Sequence, residues 1–308
     1  MSELPSPIRQ DFRNAKRLEW WTLGWMSTVV VIMYLTMGAS QAMKTAFFED
    51  ILGLIPAITF LVSAHLEPRA PTRKFPFGYL RANSLAFFAS AVVLCFMGIY
   101  LIWTNGTGLM KAEHPTIPPV TFFGETFWLG WLMIAALAYS IVPPVILGRL
   151  KQPIARRLRD KVLFTDSLMQ KADWQTGAAG IAGIAGIALG LWWADSLAAL
   201  LIAIGILKDG IDATRSASAE LVDGAPRRLE GNGLSEEAVR LQDRLEKHWP
   251  DGTVRIRESG RYLFATVDGV VTPGDIPSNE ELMGDDPTWR LGRLSFTPPG
   301  KQEPGSGW

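Results

Sequence analysis

Three carboxylates stand in segments otherwise built from apolar side chains: Glu49 and Asp50 in one run, Asp173 in another. A charged side chain near the centre of a bilayer-length helix costs about 2.5 to 3.5 kcal/mol on insertion scales, so an acid kept there needs a compensating partner. A cation or a proton supplies one, and a group that accepts either can exchange them. At helical spacing Glu49, Gly53 and Pro56 share one face, while Asp166, Met169 or Gln170, Asp173, Gly177 and Gly180 form a stripe on the other helix. Two such stripes facing each other would gather carboxylates around one polar cavity. The structural alternative is pairing of these acids with Lys44 or Lys171. Helical geometry turns Lys171 away from Asp173, which suits salt-bridging or snorkelling better than a ligand role. Asp195 opens the last apolar run and reads as an N-terminal cap.

The elements that carry these residues are long apolar helices. Apolar runs read as spans are expected over residues 18–37, 45–66, 84–103, 127–147, 162–193 and, shorter than the others, 195–207. The fifth exceeds the bilayer at about 1.5 Å per residue, so its start should project into the cytoplasm. The first run follows a charged leader and is followed at once by further spans, which excludes a cleaved signal peptide. Lys and Arg alternate in density between connections. The leader holds Arg9, Arg13, Lys16 and Arg17; the second loop Arg69, Arg73, Lys74 and Arg81; the fourth Arg149, Lys151, Arg156, Arg157, Arg159 and Lys161. The opposite loops offer little beyond Lys44 and Lys111. That asymmetry predicts both termini in the cytoplasm and an even number of spans, in a cell (inner) membrane. Trp20, Trp21, Trp103, Trp128, Trp192 and Trp193 fall near span ends, as interfacial rings do.

Composition narrows the function further. The chain of 308 residues is 48% hydrophobic, too apolar for an ordinary soluble domain. Thirty basic and thirty acidic residues leave no net charge, so no basic surplus exists for nucleic acid. The lone Cys95 gives neither a disulfide framework nor a Cys-based zinc site, and His65, His114 and His248 show no metal-ligand spacing. No nucleophile and base pair or phosphate-binding loop stands at usable spacing, which argues against an enzyme.

From about residue 217 the chain turns polar. Ser235 is expected to cap a helix that ends near Pro250, followed by strands over 253–258 and 261–267 around a Ser259-Gly260 turn. A short helix over 279–283 and a strand over 291–296 complete the domain, with Glu280, Glu281, Asp285 and Asp286 as a solvated acidic face. The expected organisation is a cytoplasmic leader (1–17), a six-helix transmembrane domain (18–216), a small α+β, ferredoxin-like cytosolic domain (217–297) and a disordered tail (298–308).

In its order of features the chain resembles the cation diffusion facilitator family. FEDILGLIPAITFLVSAHLEPRAPTRKFPFGYLRANSLAFF is similar to that family's second span and loop, DSLMQKADWQTG to its fifth span, and WWADSLAALLIAIGILKDG with LVDGAP to its sixth span and exit. The likeness runs from Leu18 to Pro226 and extends to the tail in element order only. It implies a divalent metal cation exporter with protons as counter-ion, embedded in a lipid bilayer as a homodimer and holding no resident cofactor. The family's paired H/D-x-x-x-D ligands fall at Glu49, Gly53, Met169 and Asp173, so half of the tetrahedral set is replaced. Asp50 could stand in for the ligand lost at Gly53, but it lies one residue round the helix from the Glu49 position and would need a rotated span. The expected ligand set is therefore Glu49, Asp50, Met169 and Asp173. An oxygen-rich set without imidazole or thiolate suits Mn, Fe or Mg, with Co or Zn admitted by the Met169 thioether. The family's accessory histidines fall at Phe75 and Tyr79, and its His-rich loop is absent. Two other readings stand: a non-transporting membrane scaffold or partner subunit, and a carrier of a non-metal cation or of protons.

Overall fold

The computed structural model describes residues 5–36, 41–111, 119–122, 125–188, 193–231 and 233–299. Among the described residues six long helices are bundled: α1 (Ser6–Thr36), α2 (Gln41–Leu66), α3 (Arg81–Met110), α4 (Leu129–Leu158), α5 (Lys161–Ala188) and α6 (Ala194–Leu221). The bundle cannot bury all of its apolar surface. Leu35, Val62, Phe96, Trp103, Trp131 and Leu201 all project outward, an apolar exposure that lipid rather than water would cover. Three segments are long and apolar enough to cross a membrane, Ser6–Leu35, Arg81–Met110 and Gly130–Leu158, and Asp50–Leu66 is a shorter apolar helix. Six spans were expected. In α5 the acids and lysine at 166, 171 and 173 interrupt the apolar run, and three spans is what length and composition support among the described residues.

Within the bundle α3 lies along α6 and α4 along α5, while α2 touches α1, α3 and α5. The α3–α6 pair is the closest: a Cβ on Gly98 would lie 2.6 Å from the Leu207 Cα, and one on Gly210 2.5 Å from the Cys95 Cα. Small residues let two backbones touch where hydrophobic collapse offers no drive. On α5, Gly177 and Gly180 do something milder, receiving the Ile141 and Leu137 side chains of α4.

Several expected boundaries move. The leader is helical from Ser6, so α1 starts well before residue 18, and α2 starts at Gln41 with Lys44 inside it. The fourth helix starts at Leu129, after an antiparallel pair of short strands, β1 (Pro119–Phe122) and β2 (Glu125–Trp128), where the sequence predicts a loop and the start of the span. Its far end runs through the supposed loop to Leu158, which carries Lys151 into the bundle. The sixth helix continues past 207 to Leu221, because the polar Lys208 and Asp209 end the apolar run without ending the helix.

The C-terminal domain follows the expected element order: α7 (Glu236–His248), β3 (Thr253–Ser259), β4 (Tyr262–Asp268), α8 (Asn279–Met283), a 3-10 turn (Thr288–Arg290) and β5 (Leu291–Thr297). β3 pairs antiparallel with β4 and β4 parallel with β5, a three-stranded mixed sheet that falls short of a demonstrated ferredoxin-like fold. Leu241, Leu245, Leu263, Val267, Leu282 and Met283 form its core. Ser235 has extended geometry but makes no side-chain cap; its backbone amide instead donates to the Pro226 carbonyl at 2.8 Å. The Ser278 hydroxyl does cap α8, accepting from the Glu281 amide.

The acidic face is not simply solvated. Asp286 accepts two hydrogen bonds from Arg240, at 3.0 and 2.6 Å, joining the turn after α8 to α7. These bonds hold its carboxyl below the usual value of 3.8, with the Arg240 and Arg244 charges adding to them. A depressed folded-state value means stability that is present above about pH 4 and lost as the pH falls through the folded value. Arg240→Met is therefore expected to lower stability by about 1 kcal/mol at neutral pH. In urea titrations of the full chain in detergent, that difference should shrink as the pH falls below about 4, and a difference that stays constant would rule the pairing out as its source.

Candidate cation site

The two helices expected to carry the site do meet. Gly53 of α2 faces Asp173 of α5 so closely that a Cβ there would lie 3.3 Å from the Asp173 Oδ2. A side chain at position 53 would press on that carboxylate and require it to shift by a few tenths of an ångström. Asp50 is one helical turn back from Gly53 on α2, buried to 9% exposure, and its Oδ2 has no hydrogen-bond partner among the described residues. A buried, unpartnered carboxylate oxygen is costly in apolar surroundings, and a cation or proton removes that cost. Glu49 lies on the same helix, and its side chain is outside the described residues. So is that of Asp195, at the start of α6.

Met169 is placed differently. It is fully buried in an apolar cluster with Leu94, Met97, Leu101, Ala172, Ala203 and Ile206, on the side of α5 that packs against α3 and α6. Among the described residues no three His, Cys, Asp or Glu side chains form a group that could hold a metal ion. Lys171 lines a cavity of about 290 Å³ together with Asp209 and Asp212, away from Gly53.

The rest of the expected α5 stripe is polar for a reason sequence reading passed over. Lys151 of α4 is fully buried between two acids, donating to Glu19 Oε2 of α1 at 2.9 Å and to Asp166 of α5. One turn further along α5, Gln170 is also fully buried, with neither amide atom hydrogen-bonded among the described residues. The sequence signal for this triad is Glu19, an acid inside the first apolar run that carries the same burial cost as Asp173. Lys151 gave no such signal, since it read as one of six basic residues in a loop.

Outside the spanning segments, Glu67 just after α2 lies 3.0 Å from the Arg261 guanidinium. Burial pushes its carboxyl up, and Arg261 pulls it back. Burial likewise pushes the neighbouring Tyr262 hydroxyl up to about 12, so it stays protonated.

A helical bundle with outward apolar faces and spans of membrane length defines an integral membrane protein, and in this one a carboxylate of α5 is seated against α2. Residues 22–222 match the model of the cation efflux transmembrane domain, so the chain belongs to the cation diffusion facilitator family. Among curated relatives it is 21% identical over 187 residues to the manganese efflux system protein MneS of Bacillus subtilis, covering 60% of each chain. It is 26% identical over 178 residues to the zinc transporter ZitB of Yersinia pseudotuberculosis, covering 56% of this chain and 52% of the relative. A probable cation efflux system protein of Mycobacterium tuberculosis is 24% identical over 200 residues, covering 65% of this chain and 56% of the relative. The matched region thus spans about half to three fifths of these relatives' length.

Proposed function

We propose that the protein is a divalent metal cation transporter that exchanges metal for protons and exports metal from the cytoplasm. The observation that carries the reading is the meeting of α2 and α5 at Gly53 and Asp173, with the buried Asp50 carboxylate one turn away. Glu49, Asp50 and Asp173 would hold the ion as oxygen ligands, with Met169 a candidate fourth that requires α5 to turn. Such a set favours Mn, Fe or Mg over softer ions, with Co and Zn as further candidates. The named activities of the relatives, manganese efflux and zinc transport, fall within this range. An acid that holds a cation when ionised and a proton when not exchanges one for the other, so antiport needs no further group.

The same reading takes all six long helices as spans, places both termini in the cytoplasm of a cell with an inner membrane, and pairs two copies through the C-terminal domain. Its test is metal-dependent proton flux in proteoliposomes. Asp173→Asn combined with Glu49→Ala should lower manganese-driven flux by more than about tenfold, the loss expected when ligands of one site are removed. Wild-type-like flux in that variant would exclude the site. Flux that survives metal chelation would favour a carrier of protons or of a non-metal cation, and absence of ion binding a scaffold role.

A further inference from the structure

The turn between β3 and β4 is buried in the helical bundle, not in its own domain. Gly260 is the first residue of the two-residue loop, at φ +62, a backbone that favours glycine. A Cβ on it would lie 2.8 Å from the Leu80 carbonyl oxygen at the start of α3, and its amide donates to the Ser84 hydroxyl at 2.9 Å. Ser84 in turn donates to Glu220 at the end of α6 at 2.5 Å. Arg261 follows, 1% exposed. Its Nε donates to Asp160 Oδ2 at 2.9 Å, its Nη2 pairs with Glu67 Oε2 at 3.0 Å, and its guanidinium lies 4.4 Å from the Phe12 ring centroid of α1.

The placement of those two acids gives Arg261 its meaning. Glu67 follows α2 directly, and Asp160 precedes α5, where its Oδ1 accepts from the Leu163 amide at 2.9 Å. Arg261 therefore bridges the ends of the same two helices whose middles meet at Gly53 and Asp173. Glu67 and Asp160 each stand roughly 20 Å along their helices from that meeting point. Between the two points Phe60 and Ala64 of α2 pack with Val162 and Leu163 of α5, all buried. A second tie flanks the first: Lys161 donates to Glu220 at 3.0 Å and to Glu258 of β3 at 2.5 Å.

We infer that Arg261 is the latch of a gate: the β3–β4 hairpin plugs the C-terminal-domain end of the bundle and holds α2 and α5 together there, so an ion reaches Asp50 and Asp173 from that side only after the hairpin withdraws. The inference rests on the transport reading and assigns the C-terminal domain a role in access to the site. Arg261 acts as a positioning residue, touching helix ends and not the ion. A plug of charged groups suits this duty, because buried pairs hold only in one geometry and are lost together when it changes.

The experiment uses full-length protein reconstituted with the C-terminal domain facing outward, in a Cys95→Ala background. Ala64→Cys, 2% exposed and between latch and site, reports the path by its labelling rate with a membrane-impermeant maleimide. Ala203→Cys, fully buried on α6, is the control. Arg261→Gln should speed labelling at position 64 by more than about tenfold and leave position 203 unchanged, as a local opening does. Glu67→Gln, which keeps the Arg261–Asp160 bond and frees only α2, should act in the same direction if Arg261→Gln folds poorly. Unchanged labelling at 64 in both variants, or an equal rise at 203, would overturn the latch. Labelling reads the path and not the ion, so wild-type vesicles that pass no manganese would sink the transport reading while the labelling still decides the gate.

Discussion

Lys151→Met is expected to destabilise the bundle by about 3 to 5 kcal/mol, the cost of leaving buried charges without their counter-ion. Lys151, Glu19 and Asp166 are all fully buried, and they come from α4, α1 and α5. One ammonium therefore ties three helices at a single point. Removing it leaves two carboxylates facing each other in apolar surroundings, each already with one oxygen, Glu19 Oε1 and Asp166 Oδ1, that no described group bonds. The purified variant should unfold well below the wild type in detergent. Adding Glu19→Gln and Asp166→Asn to Lys151→Met removes both charges and should recover most of the loss. A Lys151→Met protein that melts with the wild type would show that the triad does not hold the helices together.

The second large effect is expected at Gly53. Asp173 fills the space a side chain at 53 would need, so Gly53→Asp sets a second carboxylate against the first. Like charges at such a separation repel strongly in a medium of low polarity, and the variant should lose stability in chelator. Added manganese or zinc should reverse the sign. At a free metal concentration of about one hundred times Kd, binding to the folded state alone contributes about 2.7 kcal/mol. The measurement is thermal unfolding of Gly53→Asp with and without metal, and Asp173→Asn in the same chain should abolish the metal-dependent gain. Equal unfolding with and without metal would mean that the two helices do not share one ion.

Much of the fold was legible because it depends on neighbours in sequence. The C-terminal elements followed from alternation and turn chemistry, and α8 covers the expected residues 279–283, although Ser235 makes no side-chain cap on α7. The acids of α2 and α5 stood out because burial of charge is costly wherever the helix lies. Reading failed where a local signal was ambiguous. Lys151 looked like a loop residue because the apolar run stops before it, although the helix does not. Met169 fell on the ligand position by family spacing, yet the rotation of α5 puts it among apolar side chains. Lys161 counted as one more basic loop residue and is instead buried between Glu220 and Glu258.

By itself the sequence determined that the long apolar segments are helices, which segments of the C-terminal domain are strands, and that the acids of α2 and α5 are costly in an apolar run, since each follows from a period or a cost read over a few residues. Only the tertiary structure decided that Gly53 seats Asp173, that Lys151 joins Glu19 to Asp166, and that Arg261 reaches Glu67 and Asp160. These partners are far apart along the chain, and which helix faces meet depends on the packing of every other pair in the bundle at once.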